Sequence, residues 1–394
     1  MASSGPVAPM PTPEPPRIGL LAGEPSGDRL GASLIRAIRE RSPGALCVGV
    51  GGPAMRAAGL DCLLPTETLT MNGFAEPLRR LPELLRLRRR LRDQLLGRGL
   101  DVFVGIDFNV FNLSLEKALK RRGLATVHYV SPSVYAWRRG RLKHFHESVD
   151  RMLALYPFEP PLYADAGVDA VFVGHPLADE IDEVIDPGPA RSALGIAPDA
   201  SLVLAVMPGS RRSELEALAP DFLRAAARVA RLRPGTRVLV PVLDRETAER
   251  MERLAADLGV EVRVLVDDTR RALAAADLVL VKSGTGTLEA MLTGRPMVVA
   301  YRVGPWTWRL LRRLVHSPRI ALPNLLAGGS LVPELLQDAA TPEALAEALL
   351  GELAEGPQRR DRFRALAADL RRGAADRAAE AVLELASRRE ETGT

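Results

Sequence analysis

The chain contains the stretch Val279-Leu-Val-Lys-Ser-Gly-Thr-Gly-Thr-Leu-Glu-Ala-Met-Leu-Thr-Gly-Arg-Pro-Met-Val-Val299, which predicts a buried strand, a glycine-rich turn, a helix and a second strand without a gap. Unpaired backbone N–H groups at the start of such a helix attract phosphate. Glu289 falls on the first turns of the helix, where a carboxylate can accept hydrogen bonds from ribose hydroxyls or can simply face solvent. The candidate nucleotide-binding residues of this stretch are Ser283, Gly284, Thr285, Gly286, Thr287 and Glu289.

On either side of this stretch, short apolar strands alternate with helices, a pattern typical of parallel sheets covered by helices. An acidic, proline-bearing segment at 179–189 divides the pattern into two series. We therefore predict an α/β protein with two Rossmann-like, doubly wound domains and a cleft between the carboxyl ends of their strands. The predicted strands are 18–22, 46–50, 102–106, 126–130, 151–155 and 171–173 in the first domain, and 201–207, 237–241, 262–266, 278–281 and 297–300 in the second.

Length and composition set further bounds. A chain of 394 residues is long enough for two domains, each with its own core. Cys47 and Cys62 have no CxxC spacing and no histidine partner, so neither a disulfide framework nor a metal site is predicted. No apolar run approaches the roughly 18 residues that a membrane-spanning helix needs. The predicted divisions are a Pro-rich disordered tail at 1–16, a first domain at 17–182, a second domain at 183–345 and C-terminal helices at 346–394.

Two glycine-bearing turns follow the first two predicted strands. Ala22-Gly-Glu-Pro-Ser-Gly-Asp28 precedes a helix predicted over 29–39, and Gly49-Val-Gly-Gly-Pro53 repeats the geometry. Ser26 and Asp28 are good helix caps, so a capped tight turn and a ligand-binding loop are both compatible with these residues. The candidate cleft residues of the first turn are Gly23, Glu24, Ser26 and Asp28.

Polar residues also follow later strands of the first series. The strand at 102–106 ends in Asp107, whose carboxylate can act in the cleft as a general base towards a sugar hydroxyl or can cap the next helix. The strand at 126–130 leads into hydroxyl and aromatic groups of the type that line sugar sites, although a histidine there is also compatible with the protein interior. The further cleft candidates are His128, Ser131, Tyr135, Trp137 and His175.

The second series begins with a strand that leads into Met207-Pro-Gly-Ser-Arg211. A Pro-Gly-Ser turn followed by a guanidinium group is typical of a loop that contacts phosphate. If this loop and the turn at 283–287 lie on the same rim, they can hold a diphosphate from two sides. Ser210 and Arg211 are therefore additional candidates for nucleotide binding.

Two basic segments are candidates for a membrane surface. A predicted helix within 71–99 carries a leucine stripe surrounded by arginines, and it either lies on an anionic membrane or packs on the core with a solvated arginine face. The segment 305–314 combines tryptophans and arginines, and its tryptophans are alternatively core residues. A net charge of only +4 and the lack of a recognisable nucleic-acid module argue against a nucleic-acid partner. The candidate membrane-facing residues are Arg86, Arg89, Arg90, Trp306 and Trp308.

Nine motifs occur in order between about residues 18 and 385. They are AGEPSGD (22–28), DVFVGID (101–107), HYVSPSVYAWR (128–138), PFE (157–159), VGHP (173–176), MPGSR (207–211), SGTGTLE (283–289), MVVAYR (297–302) and LPNLLAG (322–328). This ordered set resembles the lipid-A-disaccharide synthase family, whose members are inverting glycosyltransferases of the GT-B fold. The resemblance therefore implies a GT-B architecture and a UDP-sugar substrate.

The activity implied by the resemblance is transfer of a sugar from UDP-2,3-diacylglucosamine to the 6-hydroxyl of 2,3-diacylglucosamine 1-phosphate, with release of UDP and formation of a β-1,6 disaccharide. Asp107 is then the base, Arg211 and the turn at 283–287 hold the diphosphate, Glu289 contacts the ribose, and Asn324 approaches the nucleotide. No metal or other cofactor is expected. The resemblance further implies a homodimer, compatible with C-terminal helices exchanged between subunits, and a cytoplasmic location at the surface of the inner membrane.

The chain departs from the family pattern at two places. Asn109-Val-Phe-Asn112 stands where a Pro-Asp-Phe-Asn type of continuation is common, so Asp107 lacks a second nearby carboxylate and acts alone or with Asn109. Lys282 replaces a small residue, and its side chain either adds a phosphate contact or faces solvent, of which we expect the second. The alternative function is that of another GT-B enzyme using UDP-N-acetylglucosamine, either a lipid-linked glycosyltransferase or an epimerase. A dinucleotide-binding oxidoreductase is disfavoured, because residues 23–27 lack the GxGxxG spacing.

Overall fold

The computed structural model describes residues 14–66, 69, 81–132, 145–182, 185–197, 200–304, 308–309 and 319–392. Within these ranges the chain forms two parallel sheets flanked by helices, which confirms the prediction of two doubly wound domains. The helices are α1 Pro25–Arg41, α2 Pro53–Ala57, α3 Leu81–Leu96, α4 Asn109–Lys120, α5 Pro160–Ala164, α6 Pro176–Glu180, α7 Pro187–Ala193, α8 Arg212–Leu232, α9 Arg245–Asp257, α10 Thr269–Ala275, α11 Thr285–Leu292, α12 Leu322–Leu326, α13 Pro342–Ala354, α14 Gly356–Leu370 and α15 Ala374–Thr392.

The first sheet has the strand order β3-β2-β1-β4-β5-β6-β7. Consecutive residues of its strands face opposite cores, so that Leu20 belongs to the core on one side of the sheet and Leu21 to the core on the other. Both faces are therefore covered, as the continuous apolar runs predict. The strands are β1 Arg17–Ala22, β2 Leu46–Gly51, β3 Asp61–Pro65, β4 Val102–Ile106, β5 Ala125–Tyr129, β6 Arg151–Ala154 and β7 Asp169–Phe172.

The second sheet has the strand order β10-β9-β8-β11-β12-β13. It repeats the two-sided packing, since Leu204 and Val206 belong to one core and Ala205 belongs to the opposite one. The strands β8 and β11 are neighbours, so the loops that follow them lie side by side. The strands are β8 Leu202–Met207, β9 Thr236–Val242, β10 Arg263–Val266, β11 Leu278–Lys282, β12 Met297–Tyr301 and β13 Glu334–Leu336.

The sequence-based prediction misplaced the start of α1. The helix begins at Pro25 rather than near residue 29, because proline suits the first helical position. Asp28 is consequently inside the helix and does not cap it. Its buried carboxylate instead accepts hydrogen bonds from the backbone N–H groups of Gly52, Ala54 and Met55 at 2.7, 2.9 and 3.0 Å. Asp28 thus ties α1 to the start of α2 and does not serve as a cleft ligand.

The chain crosses between the two domains at α6 and again at the start of α15. At this crossing the Asp179 carboxylate accepts hydrogen bonds from the N–H groups of Gly373 and Ala374 at 3.0 and 2.6 Å. The Arg371 guanidinium donates to the carbonyl oxygens of Ala178 and Ile181 at 2.8 and 2.9 Å. The two crossing segments are therefore held together by four hydrogen bonds, three of them half-buried and one exposed.

The last helix, α15, packs on the first domain of its own chain. Its Ala378 and Val382 are fully buried in the same core as Ile18. Arg151 on β6, which is 5% exposed, donates to Glu384 and to the Ala381 carbonyl oxygen at 2.7 and 3.0 Å. An exchange of this helix between two subunits stays a prediction.

We expect Arg151→Ala to lower the free energy of unfolding by about 1–2 kcal/mol, because it removes the donor that joins Asp169 of β7 to Glu384 of α15 and leaves the buried Ala381 carbonyl oxygen unpaired. Urea denaturation followed by circular dichroism measures the change. Arg388→Ala is the matched control, since Arg388 pairs with the same Glu384 on the exposed surface of α15 and should change stability by less than about 0.5 kcal/mol. Equal losses in the two variants would contradict the role of Arg151.

Candidate functional site

The loop after β4 holds Asp107 in an unusual backbone conformation. Asp107 and Phe108 both have a left-handed φ, of 50° and 47°, which is uncommon for residues other than glycine. Phe108, not Asp107, is the N-cap of α4, so the capping alternative for the aspartate is wrong. A Cβ atom on Gly23 would lie 2.4 Å from the Phe108 ring, so Gly23 gives the loop its room. The half-buried Asp107 carboxylate is therefore available at the carboxyl end of the first sheet.

Behind Asp107 lies His128, which is fully buried and not part of the cleft wall. Its Nδ1 atom is 2.7 Å from Oε1 of Glu116, and its Nε2 atom is 2.9 Å from Oδ1 of Asn109. Nδ2 of Asn109 in turn donates to Oδ1 of Asp107 at 3.3 Å. The predicted cleft residue His128 thus reaches the candidate base only through Asn109.

The pKa of Glu24, at the N-cap of α1, is changed by charged groups of both domains. Burial and the negative charge of Asp107 raise the pKa of Glu24, whereas the positive charge of Arg211 lowers it. Asp107 follows a strand of the first sheet, and Arg211 follows a strand of the second. The charges of the candidate base and of the candidate phosphate ligand therefore both act on the same carboxyl group. Ser26, two residues further along α1, is exposed.

The loop after β8 presents Arg211 to the cleft. The Arg211 side chain is 81% exposed and lies 3.6 Å from Glu214. The backbone N–H groups of Ser210 and Arg211 donate to Oε2 of Glu214 at 3.2 and 3.3 Å. The Glu214 carboxylate thus already accepts from these amides at the start of α8. An anion can therefore bind the guanidinium group of Arg211 but not its backbone N–H group.

The prediction that Lys282 faces solvent is wrong. Its side chain is only 18% exposed, and its Nζ atom lies 2.9 Å from Oε1 of Glu214 and 5.7 Å from the centre of the Tyr301 ring. Burial raises the pKa of Glu214, but the hydrogen bond and charge of Lys282, together with the backbone hydrogen bonds from Arg211 and Ser210, outweigh burial and hold the pKa below its usual value. Lys282 thus neutralises the carboxylate that shapes the Arg211 loop.

In the turn after β11, several predicted ligands shape the backbone. The Ser283 hydroxyl donates to the Ile320 carbonyl oxygen at 3.1 Å, and the Thr287 hydroxyl donates to the Gly284 carbonyl oxygen at 2.7 Å. A Cβ atom on Gly286 would lie 3.1 Å from Cε of Met207, so glycine lets α11 approach β8. Thr285 is exposed, and the first N–H groups of α11 have no acceptor within the helix. The part of the turn that is open to a phosphate is therefore its rim at Thr285 and Gly286.

Glu289 lies about one turn into α11, the helix of the predicted nucleotide site. Burial raises the pKa of its carboxyl group, and the charges of Arg270 and Arg29 lower it. Arg29 belongs to α1 of the first domain, so Glu289 faces the opposite wall of the cleft. This placement is compatible with the predicted contact to ribose.

The structure gives Asn324 a different role from the predicted one. The residue is 2% exposed, and its Nδ2 atom donates to the Val332 carbonyl oxygen and to Glu334 at 2.9 and 2.7 Å. Its Oδ1 atom accepts from the N–H groups of Leu331 and Val332 at 2.6 and 2.7 Å. Because these bonds use both ends of the amide, Asn324 fixes the connection to β13 and is not presented to a nucleotide.

Two predicted cleft residues of the first domain also bond inward. His175 is 7% exposed and is the N-cap of α6, where its Nδ1 atom accepts from the Leu177 N–H group at 3.2 Å. Burial lowers the pKa of His175 to about 4, so it is neutral near pH 7. The Ser131 hydroxyl lies 2.7 Å from the Tyr163 hydroxyl. The predicted residues Tyr135 and Trp137 lie outside the described residues.

The candidate membrane surface is present in part. Leu91 and Leu95 of α3 are each 1% exposed and pack in the core of the first domain, so the leucine stripe is not free to enter a membrane. Arg86, Arg89 and Arg90 are exposed on the outer face of α3. Trp308 is half-buried, and Trp306 lies outside the described residues. Among the described residues, α3 therefore offers a basic surface through Arg86, Arg89 and Arg90.

The ranges that the structure describes lack both a metal-binding cluster and a membrane-spanning helix. No cluster of three or more histidine, cysteine or acidic side chains in these ranges could hold a metal ion. No helix there has both the length and the apolar character to cross a bilayer.

Comparison with known proteins matches nearly the whole chain. The family model described as lipid-A-disaccharide synthetase matches residues 18–385. The lipid-A-disaccharide synthase of Pseudomonas aeruginosa (strain LESB58) is 50% identical over 374 residues, which cover 95% of this chain and 99% of the relative. That of Azotobacter vinelandii is 49% identical over 375 residues, covering 94% and 98%. That of Xanthomonas campestris pv. campestris (strain 8004) is 48% identical over 404 residues, covering 99% and 91%.

Solved structures share the architecture at low sequence identity. A glycotransferase of kitacinnamycin has a TM-score of 0.63 and 20% identity, covering 95% of this chain and 100% of that chain. The UDP-GlcNAc 2-epimerase from Neisseria meningitidis, bound to UDP-GlcNAc, has a TM-score of 0.60 and 11% identity, covering 93% and 98%. These likenesses show the GT-B fold alone.

We expect Lys282→Met to weaken UDP binding by roughly three- to tenfold. Without the ammonium group, the negative charge of Glu214 is uncompensated, competes for Arg211 and repels a diphosphate. Titration calorimetry with UDP measures the change. Lys117→Met is the control, because it removes the same charge from α4 of the first domain, where Lys117 pairs with Glu147. An unchanged UDP affinity in Lys282→Met would show that this pair does not act on the site.

Proposed function

Because the chain belongs to the lipid-A-disaccharide synthase family and is a glycosyltransferase of lipid A biosynthesis, we propose that it joins UDP-2,3-diacylglucosamine to 2,3-diacylglucosamine 1-phosphate. The products are lipid A disaccharide 1-phosphate and UDP. Membership of the family implies a sugar-nucleotide donor and a lipid acceptor. We propose the two named compounds as this donor and this acceptor. We also propose that the active protein is a homodimer, as the sequence resemblance implies.

The observation that carries the proposed site is the shared electrostatic environment of Glu24. Asp107 from the first domain and Arg211 from the second both act on this one carboxyl group. An inverting transfer needs a base on one side of the sugar and positive charge at the leaving diphosphate on the other. The two sides of the cleft supply these two groups.

In the proposed reaction, Asp107 accepts the proton of the acceptor 6-hydroxyl. The bond from that oxygen to the anomeric carbon forms as the bond to the UDP oxygen breaks, and the electron pair leaves with UDP. Arg211 and the first N–H groups of α11 stabilise the charge that develops on the diphosphate. Glu289 accepts hydrogen bonds from the ribose. We propose that these groups suffice without a metal cofactor.

The acyl chains of both substrates require a membrane or micelle to hold them. We propose that the protein works in the cytoplasm, bound peripherally to the inner membrane, with the exposed face of α3 towards anionic lipid. Each arginine near such a surface contributes about 1 kcal/mol of attraction. Leu91 and Leu95 of α3 are already buried in the protein core, so we attribute the attraction along this helix to its arginines.

Asp107→Ala should lower kcat for disaccharide formation by roughly 100-fold or more, because the acceptor hydroxyl loses its base. The affinity for UDP should stay within about twofold of the wild type, since Asp107 does not touch the diphosphate in this proposal. Turnover by thin-layer assay and UDP binding by calorimetry give the two numbers. Loss of both together would place Asp107 in the nucleotide site or in the fold.

Arg211→Ala should show the reverse pattern, with UDP affinity reduced roughly tenfold or more by loss of a charged hydrogen-bond donor. Arg212→Ala is the matched control. Arg212 is 84% exposed and pairs with Glu216 along α8, so its removal should leave UDP binding nearly unchanged. An Arg211→Ala variant that binds UDP like the wild type would remove Arg211 from the diphosphate site.

Replacing Arg86, Arg89 and Arg90 together with serine should weaken sedimentation with vesicles that contain anionic phosphatidylglycerol by roughly 10- to 100-fold, with little change for neutral vesicles. The control variant replaces the exposed arginines 233, 245 and 253 of the second domain, which changes the net charge equally. If both triple variants bind anionic vesicles alike, α3 does not face the membrane.

A further inference from the structure

A chain of hydrogen-bonded side chains runs from the interior of the first domain to Asp107. It begins at Glu116 on α4, continues through His128 on β5 and Asn109 at the start of α4, and ends at Asp107. The successive heavy-atom distances are 2.7, 2.9 and 3.3 Å. Glu116 and His128 are both 0% exposed, whereas Asp107 is half-buried at the cleft. The chain therefore links a buried pair to the candidate base.

The direction of these hydrogen bonds follows from the chemistry of the groups. An ionised Asp107 can only accept, so Nδ2 of Asn109 must face it and Oδ1 of Asn109 must face His128. Oδ1 is only an acceptor, so His128 must carry a proton on Nε2. Nδ1 of His128 is joined to Glu116 by the second hydrogen bond of the ring. The Nε2–H group of His128 therefore points at Oδ1 of Asn109, and the Nδ2–H group of Asn109 points at the Asp107 carboxylate.

The fold accommodates the buried Glu116–His128 pair in a way that does not favour stability. Burial raises the pKa of Glu116 and thus opposes its ionisation, whereas His128 lowers it through its charge and hydrogen bond. A Cβ atom on Gly105 of β4 would lie 2.1 Å from Oε1 of Glu116, so the central strand carries a glycine beside the carboxylate. Glycine is unfavourable inside a strand, and a buried charged pair is often no more stable than an apolar one. Stability alone therefore gives little reason for the arrangement.

We propose that Asn109 and the His128–Glu116 pair act as positioning residues, which hold Oδ1 of Asp107 and leave Oδ2 free to accept the proton of the acceptor hydroxyl. The inference rests on the proposed function, in which Asp107 is the base. The histidine and glutamate take no proton from the substrate. They keep the amide of Asn109 in one orientation, so that the carboxylate is aimed before the acceptor arrives. Asn109 thereby supplies a fixed contact in a segment that lacks a second carboxylate.

The test measures kcat, KM for the acceptor and UDP affinity in the full chain for Asn109→Leu, Glu116→Gln and the double variant. Asn109→Leu should lower kcat roughly tenfold or more, with KM and UDP affinity within about twofold. Glu116→Gln should lower kcat by a smaller factor. In the Asn109→Leu background it should have no further effect, because Glu116 acts only through Asn109. Val110→Ala, at an 83% exposed neighbour on α4, controls for disturbance of the helix start and should keep the wild-type kcat.

His128→Gln repeats the cycle without altering the buried carboxylate, and thermal melting shows that each variant is folded. His128→Gln should likewise lower kcat in the wild-type chain and have no further effect in the Asn109→Leu background. A wild-type kcat in Asn109→Leu, or independent losses that multiply in the double variants, would overturn the positioning role while Asp107→Ala still abolishes turnover. If Asp107→Ala itself keeps kcat within tenfold of the wild type, the base assignment fails and the positioning role fails with it.

Discussion

Both sheets consist of parallel strands, and the site depends on this constraint. In a parallel sheet every strand ends at the same edge, so the loops after β1 and β4 meet at one rim, as do those after β8 and β11. The charges of Asp107 on the first rim and of Arg211 on the second both act on Glu24. The candidate base and the candidate diphosphate ligand thus come from separate domains.

Charge balance within the second rim decides how a phosphate can be held. Glu214 occupies the backbone amides at the start of α8, where an anion would otherwise bind. Lys282 offsets that carboxylate, which leaves the exposed Arg211 guanidinium as the cation offered to the cleft. The first turn of α11 supplies the second anion-binding element. In the proposed reaction, the leaving diphosphate therefore binds the Arg211 guanidinium and the N-terminus of α11.

The sequence could predict the fold because a strand buried on both faces needs an unbroken apolar run, and Leu202–Met207 and Leu278–Lys282 both have one. The edge strands Asp61–Pro65 and Glu334–Leu336 are half-buried and lack such a run. At the site, the sequence predicted residue types at strand ends but not the direction of their side chains. Asn324 has the chemistry of a ligand, yet it bonds to backbone groups near residue 332 that no local pattern indicates. The hydrogen bond between Glu116 of α4 and His128 of β5 joins two different elements, so no local sequence motif indicates it.

The most direct test of the central claim is a product analysis by mass spectrometry. Purified protein is mixed with UDP-2,3-diacylglucosamine and 2,3-diacylglucosamine 1-phosphate in detergent. The proposed activity predicts a tetra-acyl disaccharide 1-phosphate formed in equal amount with UDP. A sample that binds UDP but forms no disaccharide would contradict it, and turnover of UDP-N-acetylglucosamine by the same sample would identify a different enzyme of the same fold.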